Sequence, residues 1–263
     1  MSIINDTEKH APDLRYGYET IIGARESQQD NGYYYSSPEG TIAVVCDGMG
    51  GMDDGGKASM TAIREISAAY RKKPAEEPVP EFFRKQAISI NEKISGFRSA
   101  GGGMMNSGTT IVAVVAEHGK LWWLSVGDSR IYLIRGREMK QVNREHNYRM
   151  ILKEQLLSGR ISQEQYDAEE KTRKAEALIS YLGIRNLTLM EINQNPFQLL
   201  RGDRVLLCSD GVYKSLSDDQ IKALLDDNDI DLNIAAKRIC SMALRYGGRG
   251  QDNTTLIVLQ QMS

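Results

Sequence analysis

The sequence predicts an α+β sandwich, on three observations. Four strand-like segments follow one another closely between Thr109 and Val142. The turns joining them suit hairpins and are too short for helical crossovers. Helix-like segments are grouped between runs of strands instead of alternating with them. A doubly wound parallel sheet, with its dinucleotide crevice, is therefore not expected.

Leu14–Ile22 reads as a first strand, with Tyr16, Tyr18 and Thr20 interleaved with other residues, and Asn31–Ser36 as a second carrying Tyr33, Tyr34 and Tyr35. Thr41–Cys46 (TIAVVC) is continuously apolar and stopped by Asp47-Gly48, the pattern of a strand buried on both faces. Gly55–Tyr70 is helical, with Ala62, Ile63, Ile66, Ala69 and Tyr70 on one stripe. Pro74, Pro78 and Pro80 interrupt the chain before a second helix over Glu81–Phe97, and the Gly-rich Ala100–Gly108 is loop. Strands follow at Thr109–Ala116, Leu121–Val126, Arg130–Ile134 and Glu138–Val142.

From Asn147 to Ala177 two short amphipathic stretches, Tyr148–Leu157 and Gln163–Ala168, flank Ser158-Gly159-Arg160, and a charged stretch follows them. This is a helical flap inserted at about 147–177 into what reads as one domain over 1–263. Strand character returns at Leu187–Asn193 and Arg204–Cys208. Ser217 with Gln220 is a capping box opening a helix toward Asp226. Asp231–Tyr246 is a helix stopped by Gly247-Gly248, and Thr254–Leu259 is the last strand.

Hydrophobic residues are 41% of the 263 and charged residues 26%, so a disordered chain is excluded. Lys plus Arg number 33 against 35 Asp plus Glu, a near balance that argues against a nucleic-acid binder. No apolar run approaches the ~18–20 residues of a membrane helix, and Met1–His10 carries no secretory pattern. Cys46, Cys208 and Cys240 cannot all pair and are read as reduced core residues of a cytoplasmic protein.

The informative feature is the carboxylate at a strand end. Ala43–Cys46 runs into Asp47-Gly48, and Val205–Ser209 into Asp210-Gly211. Such an end holds the carboxylate on a rigid support, and the glycine lets the backbone turn so that its carbonyl faces the same point. Asp252 precedes the final strand, Asp128 stands between two strands, and Asp30 follows Gln28-Gln29. One Asp-Gly is usually an ordinary turn. Several acidic strand ends brought together would repel unless cations neutralised them. Oxygen-only ligands select Mg²⁺ or Mn²⁺ over Zn²⁺, and His10, His118 and His146 are too scattered for zinc.

Together, Arg25-Glu-Ser-Gln-Gln-Asp30, Asp47-Gly-Met-Gly-Gly51, Ser107-Gly-Thr-Thr110, Gly127-Asp-Ser-Arg130, Ser209-Asp-Gly211 and Asp252-Asn253 resemble the metal-dependent serine/threonine phosphatases of the PPM (protein phosphatase 2C) family, bacterial type. The six motifs stand in the family's order. Leu156–Gln165 resembles the flap of bacterial members, and Tyr181-Leu-Gly183 the segment after it. The resemblance implies a four-layer α-β-β-α sandwich with two central antiparallel sheets and metals at one end. By it, Asp47 would bridge two ions, Gly48 would offer its carbonyl to one, and Asp210 and Asp252 would complete the other site. Asp128, with Asp210, would hold a third ion, Asp30 would orient a metal-bound water, and Arg25 would clamp the substrate phosphate.

The implied reaction is hydrolysis of phosphoserine and phosphothreonine in proteins by a metal-bridging hydroxide, in line and without a phosphoenzyme. It would oppose Ser/Thr kinases, with phosphorylated proteins as partners and the phosphatase itself a monomer. Three departures stand out: Gln28 replaces an Asn, Met49 stands where many eukaryotic members carry a His, and the run Glu169–Glu176 replaces a basic, Pro-containing segment. With Met49 there, the leaving oxygen would take its proton from metal-bound water.

Rival chemistries fail on residues. A cysteine phosphatase needs Arg six positions after its Cys, and Met52, Lys214 and Tyr246 stand there. The P-loop lookalike Gly51–Lys57 is followed by Ala58 in place of the hydroxyl residue and contains Asp53 and Asp54. The Gly48-x-Gly50 pair has Asp53 where a dinucleotide fingerprint needs glycine. Asp227, Asp229 and Asp231 imitate an EF-hand start, but Leu232 and Arg238 replace the glycine and glutamate. The rival from another class is an inactive relative that binds phosphoproteins, which a missing Asp would favour. Plain structural roles are expected for Trp122 and Trp123 (one packed inward, one toward a helix layer), for Arg130 (an ion pair), for Thr109 and Thr110 (local hydrogen bonds) and for His146 (an exposed loop residue).

Overall fold

The structure, a computed structural model, describes residues 5–7 by main chain only, then 14–50, 54–99, 101–227 and 230–262. Gly51, Met52, Asp53, Ala100, Asp229 and most of Met1–His10, used in the reading above, lie outside these.

Alternation of side chains across two sheets generates four layers. In Gly40–Cys46, Ile42, Val44 and Cys46 face the helices Asp54–Tyr70 and Val79–Ser95, while Ala43 and Val45 face the other sheet. In Arg204–Cys208, Leu206 and Cys208 face the helix Leu232–Gly247, while Val205 and Leu207 meet Ala43 and Val45 between the sheets. Thr41–Cys46 and Arg204–Cys208 are buried throughout, as continuous apolar runs require. Each fully buried aliphatic side chain in that middle layer contributes about 1.5–3 kcal/mol.

The first sheet orders Asn5–Thr7, Asn31–Ser37, Gly40–Cys46, Ile111–Glu117, Lys120–Val126 and Glu191–Ile192, with Phe197–Gln198 also on Lys120–Val126. It is antiparallel except for the Asn5–Thr7 edge, which runs parallel to Asn31–Ser37. The second, wholly antiparallel, orders Glu138–Gln141, Arg130–Arg135, Arg204–Cys208, Thr254–Gln261 and Leu14–Ile21. A two-stranded pair, Gly48–Met49 with Gly108–Thr109, lies beyond the first sheet's end.

Several details correct the sequence reading. The second helix starts at Val79, two residues early, because Pro80 in the first turn has no N–H to leave unsatisfied. Of Leu187–Asn193 only Glu191–Ile192 pairs as strand. Leu187 and Met190 pack against the helix-side core, and the Leu189 carbonyl accepts from the Ser180 hydroxyl instead of a neighbouring strand. The flap comprises Tyr148–Leu157, Gln163–Glu170 and a 3₁₀ turn Arg173–Glu176 that patterning did not separate. The Ser217–Gln220 capping box forms as read, and a second one, Ser162 with Gln165, opens Gln163–Glu170. Trp122 packs on the helix-side core and Trp123 on the inter-sheet core.

Candidate active site and metal centre

Strand register brings the acidic ends together. Asp47 follows Cys46, and Asp128 follows the Lys120–Val126 strand, whose Val126 is paired with Ile111. In the second sheet Cys208 pairs with Leu256 and Thr254 with Ile21, so Asp210, Asp252 and the Arg25 loop share one end. The two ends meet at a cavity of about 720 Å³ lined by Arg25, Asp47, Gly48, Asp128, Asp210 and Asp252, with Glu26, Glu176 and Lys214.

Backbone clamps position these groups. The Asp47 N–H donates to Thr110 Oγ1 at 3.0 Å, the Thr110 N–H donates to the Asp47 carbonyl at 2.8 Å, and Thr109 Oγ1 donates to that same carbonyl at 2.9 Å. The two threonines are buried, as expected; the Thr109 hydroxyl bonds locally to the Thr110 carbonyl at 2.9 Å, and both also bond across some sixty residues of chain to Asp47. Asn253 staples the Arg25 loop: its Nδ2 donates to the Ile22 and Ser27 carbonyls, and its Oδ1 accepts from the Gln29 N–H at 2.8 Å. Gly127, at φ +105°, passes against Thr110, where a Cβ would lie 2.6 Å from Thr110 Cγ2. Gly127→Ala is therefore expected to destabilise the fold by about 2 kcal/mol or more and to misplace Asp128. Thermal unfolding alongside activity measures both effects.

Asp30 stands behind Gln29, bordering a separate cavity of about 330 Å³ instead of the main one. It is 3% exposed and accepts from Ser209 Oγ at 2.7 Å on Oδ2, while Oδ1 has no hydrogen-bond partner among the described residues. Burial, then the charges of Asp210 and Asp252, push its carboxyl up to about 7 against the pull of the Ser209 bond. Burial and Asp210 push Asp128 to about 7 as well, with Lys214 opposing. Asp47 opens to the cavity on one side and is enclosed on the others. Burial, then Asp30, Asp210, Asp128 and Asp252, hold its carboxyl well above the usual carboxylate range.

Two cations already stand among these groups. Arg25 Nη2 donates to Asp252 Oδ2 at 2.5 Å, and Lys214 Nζ to Asp210 Oδ2 at 2.7 Å. Asp47 has no ion-pair partner among the described residues. The lining counts six acidic side chains against these two basic ones, so the cavity carries a negative excess that invites cations. No three His, Cys, Asp or Glu side chains among the described residues form a ready cage for one ion. The donors nonetheless fit hard divalent ions: they are all oxygens, the Asp47 carboxylate has no ion-pair partner among the described residues, Asp210 keeps its Oδ1 beside the Oδ2 that Lys214 holds, and loading needs only that Asp252 turn from Arg25. The cysteines offer no nucleophile, since all three are free and buried, and burial pushes the Cys208 thiol up to about 12.

Of the residues singled out in the sequence, Arg25, Asp47, Gly48, Asp128, Asp210 and Asp252 line the cavity and Asp30 lies behind it. Lys214, Glu176 and Glu26 were not anticipated. The Asp210–Lys214 spacing of four was a legible signal for the first. Arg130 pairs with Glu145 at 2.6 Å and stacks on Tyr213 at 3.6 Å, as an ion-pair reading expects.

His146 is a correction. It is 0% exposed, its Nδ1 accepts from the Gly127 N–H at 3.2 Å, and its Nε2 has no partner among the described residues. It ties the base of the flap to the Gly127 turn, which leaves it no access to solvent. Burial, with Arg144, lowers it from 6.5 to about 4. An imidazole held neutral in the fold contributes stability present above 6.5 and lost as pH falls toward 4, roughly 3 kcal/mol in full. The measurement is urea unfolding over that range, wild type minus His146→Asn, whose Oδ1 can accept the same N–H. The difference should shrink on acidification.

Comparison with known proteins shows the family and the fold. The family model for protein phosphatase 2C matches residues 20–228, and the chain belongs to that family. It is 30% identical over 241 residues to the serine/threonine phosphatase stp of Listeria welshimeri, covering 90% of this chain and 91% of that one. Its fold matches that of the S. agalactiae serine/threonine phosphatase with a TM-score of 0.80 at 22% identity, over 94% of this chain and 99% of the other. A catalytic domain of the serine/threonine protein phosphatase PstP, solved with two manganese ions, matches with a TM-score of 0.74 at 25% identity, over 95% and 99%.

Proposed function

We propose that this chain hydrolyses phosphoserine and phosphothreonine in proteins with two divalent cations, Mn²⁺ or Mg²⁺, held at the carboxylate end of the sandwich. One observation carries the reading: four aspartates from four separate strand ends line one cavity, and Asp47 among them has no ion-pair partner among the described residues. Membership of the protein phosphatase 2C family supports it, as do the relatives' serine/threonine phosphatase activity and the two manganese ions of PstP. Residues 147–177 serve as the flap of one phosphatase domain.

Asp47 would bridge the ions, the Gly48 carbonyl would serve one, and Asp210 with Asp252 the other. When bound, the ions would make a water acidic enough to serve as the nucleophile near neutral pH, so that no phosphoenzyme is needed. Asp30, enclosed behind Gln29, would orient the attacking water only at a distance, through its charge beside Asp47. Arg25, 60% exposed on a loop stapled by Asn253, exchanges Asp252 for two phosphate oxygens and stabilises their charge in flight. Met49 offers no proton to the leaving oxygen, so that proton comes from solvent inside the cavity. A third ion at Asp128 and Asp210 would have to displace the Lys214 ammonium from Asp210. The partners are phosphorylated proteins made by an opposing Ser/Thr kinase, met by a monomer in the cytoplasm. No helix among the described residues is long and apolar enough to cross a membrane.

The test is phosphate release from a phosphothreonyl peptide and from p-nitrophenyl phosphate, with manganese or with a chelator. Turnover that needs manganese is expected. Peptide binding without turnover would instead make the chain a phosphoprotein-binding module, and release from phosphotyrosine alone would overturn the substrate class. Because burial and its acidic neighbours hold the carboxyl of Asp47 well above the usual carboxylate range, and Asp30 and Asp128 beside it are pushed up to about 7, protons compete with ions as pH falls. Manganese is therefore expected to bind at least about tenfold more tightly at pH 8 than at pH 6, read by calorimetry with proton release on binding.

A further inference from the structure

The turn after Asp210 brings a cation of its own into the cavity. Asp210–Tyr213 is a single helical turn, closed by the Lys214 N–H donating to the Asp210 carbonyl at 2.9 Å. The spacing of four returns Lys214 Nζ to Asp210 Oδ2 at 2.7 Å. Glu176, at the end of the flap's 3₁₀ turn, approaches the same ammonium at 3.7 Å. Tyr213 donates its hydroxyl to the Asp128 carbonyl at 3.0 Å, so Asp128 and Asp210 are fastened to one turn. The Arg130 guanidinium, stacked on the Tyr213 ring and paired with Glu145, holds that tyrosine in place.

We propose that Lys214 replaces a third divalent ion: its ammonium, fixed between Asp210 and the flap's Glu176, neutralises the Asp128–Asp210 side of the cavity, so that the protein loads two ions and not three. This rests on the two-ion reading above. A lysine ammonium and a dication cannot share the same carboxylate oxygens, because they repel each other and the ammonium already holds Asp210 Oδ2. The substitution also changes what that side of the cavity does. An ammonium has three N–H donors, which can bond a water's lone pair, but no open coordination position to take it, so it neutralises and orients but does not acidify a water as a bound dication would. A chelator cannot remove it, and its link to Glu176 ties the flap to the carboxylates whether or not ions are present.

The experiment counts ions. Wild type, Lys214→Met and Lys214→Met/Asp128→Asn are titrated with manganese by calorimetry, and the bound ions are counted by native mass spectrometry. Two ions are expected in wild type, three in Lys214→Met and two again in the double variant. Three ions in wild type, or two in Lys214→Met, would overturn the substitution while leaving the two-ion reading intact. No ions in wild type would overturn both. The Lys214 side chain is 42% exposed, so its loss leaves no buried gap, and should Lys214→Met fail to fold, Lys214→Gln gives the same count.

Discussion

Asp47→Asn is expected to lower manganese-dependent turnover of a phosphothreonyl peptide by about 10³-fold or more, roughly 4 kcal/mol of barrier, while making the metal-free protein more stable. Both effects come from one carboxylate. Its backbone is clamped on both sides by Thr109 and Thr110, so the side chain has no freedom to escape its neighbours. Burial and the charges of Asp30, Asp210, Asp128 and Asp252 work against its ionisation. An amide of the same shape removes that repulsion and keeps the packing, so unfolding of the metal-free protein should need on the order of 1 kcal/mol more. The same amide cannot bridge two cations, so their binding and the chemistry they supply are lost. An aspartate kept for structure alone would, on replacement, lower stability and leave turnover nearly intact. Urea unfolding in chelator, beside kinetics in manganese, separates the two cases.

Arg25→Ala is expected to lower kcat/KM by about 10²-fold, near 2.7 kcal/mol, with Arg25→Lys recovering only part of it. A planar guanidinium can hold two phosphate oxygens at once, which an ammonium cannot. Stability should change little, because the side chain is 60% exposed. Manganese affinity should not fall, since in the metal-free protein Arg25 competes with ions for Asp252 Oδ2 at 2.5 Å. Steady-state kinetics on a phosphopeptide, with manganese titrations of both variants, measure these outcomes. A fall in kcat/KM explained entirely by weaker manganese binding would contradict the phosphate-clamp role.

Much of the fold was legible because its strands are the simplest kind to read. TIAVVC and RVLLC are buried on both faces and lead within two residues to Asp47 and Asp210, so apolar runs marked both the strands and the points where chemistry begins. Helix ends written in side-chain hydrogen bonds, such as Ser217 with Gln220, were legible for the same reason. What stayed hidden depends on neighbours distant in sequence. His146 reads as a loop residue until the Gly127 turn closes over it. Leu187–Leu189 has strand composition but no strand beside it. Lys214 carried a local signal, its spacing from Asp210, yet its meaning appears only when the flap brings Glu176 to the same ammonium. Asp30 looked like one more cavity carboxylate, and only the packing of Ser209 and Thr255 sets it behind the wall.

The central claim is that carboxylates from both sheets hold two cations close enough to share Asp47. Electron paramagnetic resonance of the manganese-loaded protein tests it most directly. A spin-coupled two-manganese signal in wild type, replaced by an isolated-ion spectrum in Asp47→Asn, is the expected result. Isolated-ion spectra from both proteins would contradict a shared site.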